Sequence, residues 1–328
     1  MKLNSVIAAA LLTTGLTSIA IAQDDITVGY ISPIAAQPGQ QFISAGMEKA
    51  VTALGWKWRL LDANLSADRQ VSHVDTLLTL GVKAIASWSL DPNAVAGAYS
   101  RANAQNVPVI GVNSTGEGVT NTVWWEVNTC EPGGPYAQQA ALIAEHAPGG
   151  KVIVMGGPPV PSIVSNVACF TAAAKEAGLD VVDQIDNTRD SAANAATLAA
   201  DELLRFPDVQ AVWAYNDQSA LGFSAAISAS GGKIYGAGGD EGVMVFGVNA
   251  DPDAIEAVRD GRLTGTWDPD SYATGFAVAK AMQAAIETPD AEQVPLTVKS
   301  TLFTTANIDS WVPDLERTYD LETIPLVQ

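Results

Sequence analysis

Two hydrophobic textures alternate along the chain. Short runs of consecutive apolar, β-favouring residues occur at 26–32 (ITVGYIS), 56–62 (WKWRLLD), 82–89 (VKAIASWS) and 107–114 (VPVIGVNS). Between them lie alanine-rich segments at about 39–54, 66–80 and 92–104, where apolar positions recur at helical spacing. Boundary residues agree with this division. Ser66 suits a helix N-cap, Asp91-Pro92 sets a capping carboxylate before proline at the first helical position, and Gly55 and Gly81 stand where helices should stop. The pattern predicts a βαβαβαβ succession with a parallel sheet.

A second series follows a turn-rich border at about 115–133, where STGEGVTN and CEPGGP stand. Its strand candidates are 151–158, 179–186, 209–217, 243–251 and 262–267, and its helix candidates are about 134–146, 162–177, 191–205, 218–229, 253–260 and 271–286. Strands that are apolar at consecutive positions are covered on both faces, as a doubly wound sheet requires. The predicted fold class is therefore α/β, with two doubly wound parallel-sheet domains in 328 residues.

Residues 1–22 stand apart from this pattern. Lys2 precedes an apolar or small run from Val6 to Ala22, and Ala20-Ile21-Ala22 fits a small-x-small cleavage site, so a signal peptide is expected to be cut before Gln23. Its removal takes the formal charge from −19 to −20, against 36 acidic residues. Such a chain lacks the clustered Lys and Arg that nucleic acid or an anionic membrane surface demands. In an oxidising compartment the lone pair Cys130 and Cys169 is expected to be bridged. Metal and cofactor signals are missing. Two thiols and two histidines far apart lack zinc spacing, the carboxylate pairs lack a calcium-loop pattern, and there is no GxSxG elbow or phosphate loop. The glycine cluster Gly236, Gly238, Gly239, Gly242 carries Glu241 where a pyrophosphate would approach, and reads as a loop.

Polar residues gather at one kind of place. Ligands of open parallel sheets bind beyond the carboxyl ends of the strands, and the residues there include Ser32, Trp88, Asn113, Ser114, Asn216, Asp217, Asn249, Trp267 and Asp268. Amides offer both donor and acceptor to a hydroxyl, a carboxylate accepts strongly, and an indole face packs against C–H surfaces or planar rings. A small neutral polyhydroxylated molecule suits such a lining. The same asparagines and aspartates also serve as turn formers, and Trp124, Trp125 and Trp213 read as core residues.

The segments LDANLSADRQVSHVDTLLTLGVKAI, NAQNVPVIGVNS, VQAVWAYNDQSALGFSAAI, VMVFGVNAD and DAIEAVRDGRLTGTW, in that order, resemble the ribose/galactose-type periplasmic sugar-binding proteins, the type I solute-binding proteins of ABC transporters. The likeness spans about residues 26–286. It implies two lobes joined by a three-segment hinge, a ligand in the cleft, a monomer in the periplasm, and a membrane permease as partner. The lobes would divide as 23–120 plus about 267–295, and 121–266 plus a tail at about 296–328. By position, the ligand-holding set falls on Gln37, Trp88, Asn113, Asn166, Arg189, Asp190, Asn216, Asn249 and Asp268. The chain departs from the family where Gln37-Pro38-Gly39-Gln40 replaces the usual Asn-Pro-aromatic-aromatic, where Trp88 replaces an Asn, and where Asn113-Ser114 replaces Asp-Arg. Those departures argue against ribose itself. The expected ligand is another sugar or a polyol. Two alternatives are a purine or nucleoside held between Trp88 and Trp267, and an exported enzyme using Asp190 or Asp268 as a base.

Overall fold

The computed structural model describes residues 26–236 and 241–327. The expected leader and its cleavage before Gln23 lie outside the described residues, as do Gly238 and Gly239. The nine strands predicted from apolar runs, joined by three others, form two six-stranded sheets.

In the first sheet, β1 (Thr27–Ser32), β3 (Ala84–Ser87) and β4 (Val109–Val112) are buried almost throughout, which is why their sequences carry no polar alternation. β2 (Lys57–Asp62) is exposed along most of its length and forms an edge. Between these strands run α1 (Pro38–Ala53), α2 (Ala67–Thr79) and α3 (Pro92–Asn103). The capping residues act as their chemistry dictates. Ser66 accepts the Arg69 N–H, and Asp91 accepts those of Asn93 and Ala94. Gly55 and Gly81 take left-handed φ values of 76° and 71° past α1 and α2.

The second sheet repeats the plan. It holds β6 (Lys151–Gly156), β7 (Asp180–Asp186), β8 (Ala211–Ala214), β9 (Met244–Val248) and β10 (Gly265–Asp268). Its helices are α4 (Pro135–His146), α5 (Pro161–Glu176), α6 (Ala192–Arg205), α7 (Asp217–Ala229) and α8 (Pro252–Arg259). Among the described residues, no helix is long and apolar enough to cross a membrane.

Three short strands and one long helix cut the chain differently from the expected division. β5 (Asn121–Trp125) pairs in parallel with β4, so the first lobe runs past the turn-rich border rather than stopping at 120. β11 (Leu296–Val298) adds to the far side of β5, and β12 (Thr301–Thr304) runs antiparallel to β10 in the second sheet. The resulting orders are β11-β5-β4-β3-β1-β2 and β12-β10-β9-β8-β6-β7. α9 (Ser271–Glu287) leaves the second sheet and packs on α1 of the first lobe. This contact is backbone to backbone. A Cβ at Gly275 would land on Ile43 and Met47 main-chain atoms, and one at Gly46 on the Tyr272 carbonyl.

As far as β12 the chain thus crosses between lobes three times: after β5, between β10 and α9, and between β11 and β12. Polar ties join the crossings. The Ser300 hydroxyl accepts the Val127 N–H, and the Ser300 N–H donates to Glu126. The tail then returns to the first lobe, where Leu326 bridges to Val298. On the way Arg317, 9% exposed, inserts among Asp268, Asp270 and Asp314 at 2.5, 3.0 and 3.6 Å. Cys130 and Cys169 form a disulfide that ties the loop before α4 to α5.

Candidate functional site

In each sheet the strand order reverses between the first and third strands of its own series, β1/β3 in one lobe and β6/β8 in the other. Such a switch point splays the outgoing loops apart and leaves a crevice at the carboxyl edge. The two crevices face each other. Between them lies a cavity of about 80 Å³, several times the roughly 10–15 Å³ that admits one water.

The first lobe supplies Gln37 and Gln40 from the start of α1, and Trp88 and Trp125 from the ends of β3 and β5. Gln40 is buried because its carboxamide oxygen accepts the Tyr30 hydroxyl at 2.6 Å and the Ser32 hydroxyl at 3.2 Å. Burial away from water pushes the Tyr30 phenol well above its ordinary range, so it stays a donor. Trp88 and Trp125 meet edge to face, with centroids 5.1 Å apart, and make an apolar wall.

From the second lobe come Asn166 on α5, Asp190 in the loop after β7, Tyr215 and Asn216 after β8, and Asn249 after β9. Asp190 is the hub. Its carboxylate accepts from the Gln37 amide of the opposite lobe, from the Tyr215 hydroxyl, and from Asn216 Nδ2 at 2.7 Å. Burial, then the Asp190 charge, raises the Tyr215 phenol far above its usual range and keeps it protonated. Asn216 also caps α7, its Oδ1 accepting the Ser219 N–H at 2.9 Å. Asn166 donates to Asn128 Oδ1 at 2.7 Å while its own oxygen is buried without a partner. Asn249 sits at φ 123°, a conformation that L side chains rarely adopt, and no protein hydrogen bond to its side chain is seen among the described residues. Among the described residues, no Lys, Arg or His lines this cavity.

Two switch-point crevices closing on one polar and aromatic cavity are a binding-protein geometry. Residues 28–290 match the family model described as a periplasmic binding protein domain. The chain belongs to that family. It is 29% identical over 248 residues to a ribose import binding protein of Bacillus subtilis, covering 74% of this chain and 75% of that one. It is 27% identical over 278 residues to the ribose import binding protein of Escherichia coli, with 81% and 86% covered. Among solved structures, the Caulobacter myo-inositol binding protein superposes with a TM-score of 0.75 at 22% identity, covering 88% of this chain and 96% of that one. Its relatives make the chain one of a family of binding proteins rather than enzymes.

Within this periplasmic binding protein, six of the expected site residues line the cavity: Gln37, Trp88, Asn166, Asp190, Asn216 and Asn249. Three do not. Asn113 spends its Oδ1 on the Trp125 backbone N–H at 2.8 Å and lies behind the tryptophan wall, facing a different hollow. Arg189 is exposed and does not line the cavity, although its neighbour Asp190, in a left-handed turn at φ 51°, does. Asp268 is held by Arg317 at the hinge and faces a separate hollow there. The Trp88/Trp267 sandwich is also not formed. Trp267 donates its indole N–H to Gln139 at 2.9 Å and does not reach the cavity. Gln40, Asn128, Ser162, Tyr215 and Trp125 line it without having been singled out as ligand residues. A strand-end rule could have found Tyr215, one residue before Asn216. Nothing local marks Gln40, whose placement depends on Tyr30.

Proposed function

We propose that this chain is the exported substrate-binding component of an ABC transporter. It closes its lobes around a small neutral polyhydroxylated ligand, a sugar or polyol, and delivers it as a monomer to a membrane permease from the periplasm. The reading rests on one observation: amide and carboxylate side chains of both lobes converge on one cavity that holds no cationic side chain among the described residues. Such a lining exchanges hydrogen bonds with hydroxyls and gives a phosphate or carboxylate no counter-charge. Gln37, Trp88, Asn166, Asp190, Asn216 and Asn249 hold the ligand, and the tryptophan wall packs against its C–H face.

Ligand drives closure only by the amount it prefers the closed arrangement. The relatives' names support the class: ribose import for the two curated proteins, myo-inositol for the Caulobacter structure. Mass spectrometry of small molecules released from the purified protein, followed by a thermal-shift screen of sugars, polyols and nucleosides, tests the reading. A sugar or polyol that raises the melting temperature supports it. A response confined to nucleosides, or to anions, overturns it.

A further inference from the structure

Next to Ser162, which accepts the Trp88 indole N–H, the space between the lobes contains a second hollow, of about 620 Å³. Asn128 and Ser162 line both the cavity and this hollow, so the two are separated by little more than a side chain. The separator is built across the cleft. The Trp88 indole N–H donates to the Ser162 hydroxyl of the opposite lobe at 3.2 Å, and Trp125 braces the ring from the side. Beside it the Asn166 amide donates to Asn128 Oδ1 at 2.7 Å, a second bond at the edge shared by cavity and hollow. Behind this partition stands Asn113, 1% exposed, whose Nδ2 has no partner and which lines the hollow. A buried amide donor without an acceptor is costly to maintain, on the order of 1–3 kcal/mol. It is a group that a ligand oxygen reaching this side would satisfy.

Given the proposed function, we infer that Trp88 is the size-determining residue of the site. It confines the ligand to a single ring or short chain and closes off a subsite at Asn113 that would otherwise take the second unit of a two-ring glycoside. The inference rests on the sugar-or-polyol reading and adds a limit on dimensions. The indole lines the cavity and is bonded to Ser162, which lines the hollow as well, and because that bond joins the two lobes the limit is set in the closed state.

Calorimetry on wild type, Trp88→Ala, and Trp88→Ala with Asn113→Ala tests this, using pentoses, hexoses, inositols and short alditols against disaccharides and aryl glycosides. Wild type is expected to bind compact compounds and no two-ring compound. Trp88→Ala should weaken the compact ligand by at least about tenfold and gain a two-ring ligand. Asn113→Ala should abolish that gain in the double variant. If alanine prevents folding, Trp88→Leu, shorter but still apolar, carries the same expectations. Wild-type binding of a two-ring compound as tightly as a compact one overturns the inference while leaving the transport reading intact. So does a folded Trp88 variant with an unchanged ligand range. Failure of every compound with wild type and variant alike overturns the reading itself.

Discussion

Replacing Arg317 with methionine should destabilise the protein by an amount that grows with pH. The guanidinium is 9% exposed and faces Asp268 at 2.5 Å, Asp270 at 3.0 Å and Asp314 at 3.6 Å, while its Nε donates to the Val312 carbonyl at 2.9 Å. At an effective dielectric near 20, each pair attracts by roughly 5–7 kcal/mol, but mutual repulsion of the three acids and desolvation cancel most of that sum. Removing one partner of a buried ionic group typically costs about 3–5 kcal/mol, because the remaining charges lose their counter-charge. Here the acids have an escape. Burial, then the neighbouring Asp268 charge, pushes the Asp314 carboxyl up to about 7, and burial also raises that of Asp268. Without Arg317 these values rise further, so acid neutralises what the substitution leaves exposed to repulsion. Urea unfolding at pH 8 should therefore show a loss of about 3–5 kcal/mol. At pH 5.5 the loss should shrink by about 1 kcal/mol or more, the worth of a one-unit pKa change. Adding Asp268→Asn should recover part of the deficit at pH 8. A loss under about 1 kcal/mol at pH 8, or one independent of pH, would refute the assignment of Arg317 as the hinge's counter-charge.

Other outcomes follow from the same reasoning. Asp217 is fully buried and pushed up to about 7, and Asp251, whose N–H it accepts, to about 8, in both cases chiefly by burial. Acids with raised folded-state pKa values stabilise below their unfolded pKa and lose that contribution as pH climbs through the folded value. The melting temperature should thus rise on acidification from pH 8 toward 5, and a falling trend in that window would contradict the burial argument. Asn216→Ala removes the bond to Asp190 and the α7 cap together, and should weaken ligand binding at least about tenfold by calorimetry. Unchanged affinity would take Asn216 out of the site. Replacing Cys130 and Cys169 by alanine opens a loop with a sequence separation of 39. By chain entropy this should cost about 4 kcal/mol of unfolding free energy, and a loss below about 1 kcal/mol would mean that the unfolded chain is barely constrained by the bridge.

The sheets were legible because both textures, apolar strands and capped alanine-rich helices, are local. Ser66, Asp91, Gly55 and Gly81 mark the same boundaries in sequence and in space. β5 escaped notice because its short run, NTVWW, follows directly on turn formers and contains two tryptophans that read as core. β11, β12 and the tail escaped because their partners are remote, as Arg317 and Asp268 are, 49 residues apart. Within the site, strand-end position identified which loops face the cleft but not which way a side chain turns. Asp190 and Arg189 are neighbours, yet only the first lines the cavity. Asn113 has the expected location, but β5 runs beside it and the Trp125 backbone claims its oxygen.

The late strands also govern when the two sheets can be completed. The first sheet lacks its outer strand until 296–298 has been synthesised, and the second until 301–304. α9, which interlocks with α1 through Gly46 and Gly275, is complete only at residue 287. A nascent polypeptide emerging in order therefore carries two sheets that lack their outer strands almost to its last thirty residues, so neither half is complete until nearly the whole length has been made.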